Sequence, residues 1–278
     1  MSGWLAGLLD FLQTGSEHNL LPWQCQLEAA RQFDLTLPQI EGHALALGLM
    51  PARYARNQNT FTVYDQLRLF RSRVAVIGCG GLGGYVIEEL ARVGVGTIRA
   101  IDPDIFQEHN LNRQILSSPA ALGRPKVELA AERVAEINPA VTLVPVQELY
   151  MPGRAGQLLG SAQVVVDALD SIHTRLALAN SCGALGIPLV HGAIAGWYGH
   201  LCTQFPGDNS IQHLYGNTSQ RHGVEARLGN PAFTPAVVAS LEAAEVCKIL
   251  LGVGSALRGR WLVINLFDMT FDEIALPR

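Results

Sequence analysis

One stretch between positions 73 and 126 limits the folds open to this chain more than anything else in it. Arg73-Val74-Ala75-Val76-Ile77 reads as a buried strand and runs directly into Gly78-Cys79-Gly80-Gly81-Leu82-Gly83. A helix is expected from about Gly84 to Val93, then a second strand from Thr97 to Ile101 that ends in Asp102. Glycines at 78, 80 and 83 suit a tight turn, close approach of backbone to phosphate, and close helix–strand contact. The helix start behind them offers unpaired N–H groups and the positive end of its dipole to an anion. Alone, this turn is a common dinucleotide fingerprint. The residues after it are far more specific: Asp102-Pro103-Asp104, then Asn110-Leu111-Asn112-Arg113-Gln114, then Gly123-Arg124-Pro125-Lys126.

Hydride transfer gives no reason for an Arg, a Gln and a Lys so soon after a ribose-binding acid. Cleavage of a nucleoside triphosphate does, because charge grows on the departing phosphates and must be neutralised. Lys126 follows Pro125 in what reads as the first turn of a helix, with Val127, Ala130, Ala131 and Val134 at helical spacing. A cation there opposes the helix dipole, and a bound phosphate would reverse that penalty. Taken singly, Lys126 is a solvated surface lysine; in the company of Arg113 and Gln114 it reads as part of a phosphate site.

With these residues the chain resembles the ThiF/MoeB/HesA family, relatives of the ubiquitin-activating enzymes that adenylate the C-terminal carboxylate of small ubiquitin-fold proteins. The resemblance runs from about Arg53 to Leu276. It also rests on Arg53-Tyr54-Ala55-Arg56-Asn57, Asp167-Ala168-Leu169-Asp170 with Arg175, Pro188-Leu189-Val190-His191-Gly192, and Ser240-Leu241-Glu242-Ala243-Ala244-Glu245. It implies ATP on the turn formed by Gly78, Gly80, Gly81 and Gly83, with Asp102 on the ribose. Asn110, Arg113, Gln114 and Lys126 match the positions that hold the triphosphate and the reacting carboxyl group. Asp170 matches the magnesium ligand, and one carboxylate suffices for an ion that keeps most of its waters. Arg56 matches an arginine that enters the neighbouring subunit of a homodimer. The implied catalytic set is therefore Arg56, Arg113, Lys126 and Asp170.

Some positions stay open or depart from the pattern. Asp104 is either a carboxylate close to the metal or a turn residue before Ile105. Asp167 reads as structural, and Asn112 occupies the family's variable position. Ser171 stands where the family commonly has Asn; a hydroxyl can still cap the next helix but reaches less far. The two Cys-x-x-Cys pairs that bind zinc in many members are missing, as is a cysteine in the long loop from Pro206 to Pro231. No zinc is therefore expected. His200, His213 and His222 are too irregularly spaced to replace four thiolates and are assigned to solvated loops. Cys202 reads as a buried apolar residue and Cys79 as incidental.

The alternation of apolar segments predicts an α/β fold with a doubly wound, mostly parallel, Rossmann-like sheet. Strands are expected at Val74–Ile77, Thr97–Ile101, Val141–Val146, Val164–Ala168 and Leu189–His191. An antiparallel C-terminal extension comes next, from Gly199 to Phe205 and from Trp261 to Ile274, with a helix near Thr234–Leu251 between them. Residues 53–278 are read as the ATP-binding domain. Residues 1–52 are read as a helical arm, with helices near Trp4–Phe11, Leu21–Phe33 and Leu35–Leu49. The segment from Ala29 to Leu45 loosely resembles a helix-turn-helix, but it has no basic face. A formal net charge of −4 gives no electrostatic case for nucleic acid or an anionic membrane. Five cysteines without a paired spacing, no leader-like N-terminus and no long apolar run point to the cytoplasm.

The expected function is ATP-dependent adenylation of the C-terminal carboxylate of a ubiquitin-like sulfur carrier or a peptide. Two alternatives share the fold: an enzyme resembling the tRNA threonylcarbamoyladenosine dehydratase, disfavoured by the acidic charge, and a non-catalytic nucleotide-binding scaffold, disfavoured by the intact Arg113, Lys126 and Asp170. An NAD-dependent oxidoreductase leaves those three residues unexplained.

Overall fold

The structure is a computed structural model that describes residues 3–216 and 225–277. The chain opens with three short helices, α1 (Gly3–Thr14), α2 (Trp23–Phe33) and α3 (Leu37–Ala46). Leu8, Leu12, Leu21, Ala29, Ile40 and Ala44 form a small apolar core among them. Two-residue strands β1 (Leu20–Leu21) and β2 (Met50–Pro51) pair in parallel and close this unit. The α3 helix starts two residues later than its apolar pattern suggests. Thr36 and Gln39 form a reciprocal capping box that fixes the start.

A 3₁₀ turn, Ala52–Asn57, leads to α4 (Val63–Arg71). Tyr54 anchors this turn: it is almost fully buried, donates to Glu41 Oε1 (2.9 Å) and accepts from Asn138 Nδ2 (2.7 Å). Arg53 pairs with the buried Glu41 and with Gln26 Oε1 (2.8 Å). Arg56, in the same turn, stands on the surface.

The main body alternates β3 (Arg73–Ile77), α5 (Gly81–Val93), β4 (Thr97–Ile101), α6 (Lys126–Ile137), β5 (Thr142–Val146), α7 (Ala155–Leu159), β6 (Val164–Asp167), α8 (Ile172–Leu185) and β7 (Leu189–Ala195). Then come β8 (Tyr198–Gln204), α9 (Ser210–Tyr215), α10 (Glu225–Leu228), α11 (Phe233–Leu251), β9 (Arg260–Asn265) and β10 (Thr270–Ala275). Eight strands make one sheet in the order β10-β9-β8-β7-β6-β3-β4-β5. The five from β7 to β5 are parallel, and β8, β9 and β10 are added in turn, each antiparallel to the strand before it. The uninterrupted apolar run Val164-Val165-Val166 has a direct cause. Val164 and Val166 join the core on one face, while Val165 joins Ala75, Ile77 and Leu189 on the other.

The structure differs from the sequence reading in places. The α5 helix begins at Gly81, three residues before the expected Gly84, because Gly83 and Gly84 lie inside its first turn and pack closely there. Strand β7 runs four residues past His191, where its antiparallel pairing with β8 sustains it. The segment from Pro206 to Pro231 contains two short helices, and its residues 217–224, with His222, lie outside the described residues. Among the described residues, no helix is long and apolar enough to cross a membrane.

Candidate active site

The strand order reverses between β3 and β6, so the loops leaving their carboxyl ends diverge and leave a crevice. A cleft of about 470 Å³ occupies it, within the usual size range of small-ligand sites. It is lined by Gly78, Gly80, Gly81, Asp102, Asp104, Arg113, Gln114, Lys126 and Asp170 among others. The structure thus brings nine of the sequence-assigned residues into one site. Arg56, Gly83 and Asn110 do not line it.

The glycine turn explains two of the glycines directly. Gly78 has φ +98°, and a Cβ on it would lie 2.6 Å from the Ala168 carbonyl oxygen. Gly83 sits inside the first turn of α5, where a Cβ would run into the Gly78 carbonyl oxygen and press on Ala168. Gly83 therefore shapes the turn from behind. Gly83→Ala is expected to destabilise the protein by about 3 kcal/mol, seen as a fall in Tm. An unchanged Tm would show that the turn relaxes around the methyl group.

Asp102, buried at the end of β4, braces the turn from the side. Its Oδ2 accepts from the Cys79 amide (2.6 Å) and its Oδ1 from the Asp104 amide (2.8 Å). Burial raises its pKa above the usual carboxylate value, opposed by the nearby Lys126 charge and the two backbone N–H groups. Cys79 is buried and its thiol is pushed well up by that burial, so it is not an activated thiolate.

Lys126 is the first helical residue of α6, one position after Pro125, which takes the N-cap. It is 6% exposed. Backbone pairing holds it beside Asp104: the Lys126 amide donates to the Asp104 carbonyl (3.0 Å), and Nζ lies 3.0 Å from Asp104 Oδ2. Asp104 is accordingly the counter-ion of Lys126, which offsets the unfavourable placing of a cation at a helix N-terminus. Arg113 is held by the His109 carbonyl (2.9 Å) and Asn112 Oδ1 (2.8 Å). Gln114 is buried, with its Oε1 lacking a partner among the described residues. Asn110 acts indirectly. Its Oδ1 accepts from the Gln107 amide (2.9 Å), and its carbonyl accepts from the Arg113 and Gln114 amides.

On the β6 side, Asp170 is exposed in the cleft and Ser171 caps α8, accepting from the Thr174 amide (3.4 Å). Asp167 is buried and structural: Oδ1 accepts from the Leu169 amide (3.0 Å), and Oδ2 faces His191 Nδ1 (2.8 Å). Asp167 fixes the proton on His191 Nδ1, so His191 Nε2 accepts from the Tyr215 hydroxyl (3.0 Å). That hydroxyl in turn accepts from Arg175 (2.8 Å) and from His200 Nε2 (3.2 Å). Arg175 also donates to the Leu169 carbonyl, which pins the turn carrying Asp170. The expected solvated-loop role of His200 is therefore wrong. It sits in β8, its pKa is driven well below the usual histidine value by burial, and it belongs to this hub. His213, in α9, is exposed.

A doubly wound sheet with a glycine turn, a buried lysine, an arginine and an exposed carboxylate at its switch point is the arrangement of a nucleotide-binding enzyme. Residues 54–278 match the ThiF family, and the chain belongs to it. It is 38% identical to the SAMP-activating enzyme E1 of Haloferax volcanii over 75% of this chain and 78% of that protein. It is 33% identical to the molybdopterin-synthase adenylyltransferase of Escherichia coli, over 78% of this chain and 88% of that one. It spans about half the length of the Zea mays proteins named adenylyltransferase and sulfurtransferase MOCS3. Among solved structures, Escherichia coli MccB with ATP matches with a TM-score of 0.68 at 19% identity, over 99% of this chain and 88% of that one. This is a likeness of fold. The chain is an ATP-dependent adenylyltransferase of its family.

Proposed function

We propose that this enzyme activates the C-terminal carboxylate of a ubiquitin-fold sulfur carrier, or of a peptide ending in the same way, as an acyl-adenylate. The observation that carries the reading is Lys126, buried at the edge of the cleft and lining, with Arg113, the space in front of the glycine turn. The names of the Haloferax and Escherichia relatives support the choice of acceptor.

The nucleophile is a carboxylate, already ionised near neutral pH, so no general base is required. One of its oxygens bonds to the α-phosphorus of ATP while the bond from that phosphorus to the bridging oxygen breaks, and pyrophosphate leaves. Lys126 and Arg113 offer fixed positive charge to the phosphate oxygens, and the glycine turn offers backbone N–H groups. Gln114, with its unpaired oxygen and its amide near Gly80, aligns the reacting groups. Asp170 would hold a magnesium ion, which supplies further charge neutralisation when bound. The surface position of Arg56, on a turn anchored by Tyr54, fits a twofold homodimer in which each copy lends Arg56 to the other cleft. Residues 1–52 would then be a helical arm with its own small core, carried by an adenylation domain of residues 53–278. Five buried, unpaired cysteines fit a reducing, cytoplasmic setting, and the missing cysteine pairs fit an enzyme without zinc.

ATP–pyrophosphate exchange tests the reading. Exchange is expected only when a carrier or peptide with a free C-terminal carboxylate is present, and it should vanish when that carboxylate is amidated. Exchange that ignores amidation, or turnover of a nicotinamide cofactor, would overturn the proposal.

A further inference from the structure

The end of the cleft away from the ribose carboxylate holds an amide that the adenylation chemistry leaves unused. Asn230 lines the cleft, and its side-chain oxygen is buried without a hydrogen-bond partner among the described residues. The main chain around it is braced at two points. The Asn230 carbonyl accepts from Asn112 Nδ2 (3.0 Å), and the preceding Gly229 carbonyl accepts from the Gly196 amide (2.7 Å). Further along the same segment, Pro235 packs beside Gly81, so this part of the chain borders the glycine turn itself. A buried acceptor held in place yet left unpaired is costly unless a ligand donor reaches it.

The donor cannot be a phosphate, whose oxygens only accept. Nor is it the ribose, which on the adenylation reading sits on Asp102 at the end of β4, whereas the Gly196–Gly229 bond ties the Asn230 segment to the end of β7, across β3 and β6. The group that must enter from this side is the acceptor tail, and every peptide link in a tail other than proline carries an N–H. We infer that Asn230 Oδ1 accepts the N–H of the last peptide bond of the incoming C-terminal tail and so sets the reach of its carboxylate towards Arg113 and Lys126. Asn112 is the positioning residue for that contact. The inference rests on the adenylation reading and deepens it by naming what the site recognises: an extended peptide end whose final link is an unsubstituted amide.

The test uses two synthetic peptides that end in Gly-Gly, one normal and one in which an ester oxygen replaces the last N–H, each assayed by ATP–pyrophosphate exchange. With the wild-type enzyme, the ester is expected to raise the peptide KM about tenfold. With Asn230→Ala, the two peptides should differ by less than about twofold, both at the higher KM, while the KM for ATP is unchanged. Asn112→Ala should lose part of the discrimination in KM and, because Asn112 Oδ1 also holds Arg113, should lower kcat for both peptides alike. A wild-type enzyme that exchanges with both peptides equally, or an Asn230→Ala variant that keeps the full discrimination, overturns the assignment and leaves adenylation standing. A wild-type enzyme that exchanges with neither peptide nor with any Gly-Gly carrier overturns the adenylation reading, and this assignment with it.

Discussion

Asp170→Ala is expected to lower carrier-dependent ATP–pyrophosphate exchange about a thousandfold while leaving Tm unchanged. The separation of the two effects comes from where the side chain stands. Asp170 is exposed at the end of the β6 turn and makes no side-chain hydrogen bond or ion pair among the described residues, so its removal opens no cavity and orphans no buried group. The turn itself is held by Arg175 and Asp167 through Leu169, and neither bond involves the Asp170 side chain. On the proposed reading, the loss falls on the carboxylate that would hold magnesium against the phosphates. Exchange at the wild-type rate and the wild-type magnesium requirement would remove Asp170 from the metal site. Lys126→Ala makes an instructive contrast. It takes away a buried cation that also balances Asp104, so it acts on both the chemistry and the local packing.

Mixing two inactive variants, Arg56→Ala and Lys126→Ala, should restore activity. In a mixed dimer one cleft has Lys126 from its own chain and Arg56 from the other, while the second cleft lacks both. With random exchange at equal concentrations about half the dimers are mixed, each with one complete site, so roughly a quarter of wild-type exchange should return. The geometry makes this a sharp test. Arg56 is fixed on a turn tied down by Tyr54, with Glu41 on one side and Asn138 on the other, and does not line the cleft of its own chain. If labelled subunits exchange and no activity returns, Arg56 does not serve a neighbouring cleft.

Most of the fold could be read from the sequence because the central parallel strands β3 and β6 are short, apolar on both faces and end at a glycine or an acidic residue. That Asp102 and Asp170 line the cleft was legible for the same reason: each comes after a strand whose end is marked. The start of α5 was not, since glycine's low helix propensity hides a turn whose stability comes from contact with Gly78 and Ala168. Asp104 became interpretable only when an antiparallel bridge, Ile105 to Pro125, placed it beside Lys126. Asn230 carried no local signal at all. Its brace, Asn112, lies 118 residues earlier, and a buried unpaired oxygen is visible only in three dimensions. His200 was misread because one histidine near a polar segment looks solvated, whereas the Tyr215 hydroxyl comes back past the end of β8 to meet it.

That hydroxyl has a further consequence for how the enzyme comes apart. A helix of six residues does not persist in water by itself, and α9 has no side-chain cap. Its last residue is nevertheless tied through one oxygen to Arg175, His191 and His200, and through them to the strand end beneath Asp170. Pulling α9 away would leave those three groups short of a partner at once, each at a cost of about 1–3 kcal/mol. The floor of the nucleotide cleft and helix α9 thus belong to one cooperative unit of unfolding.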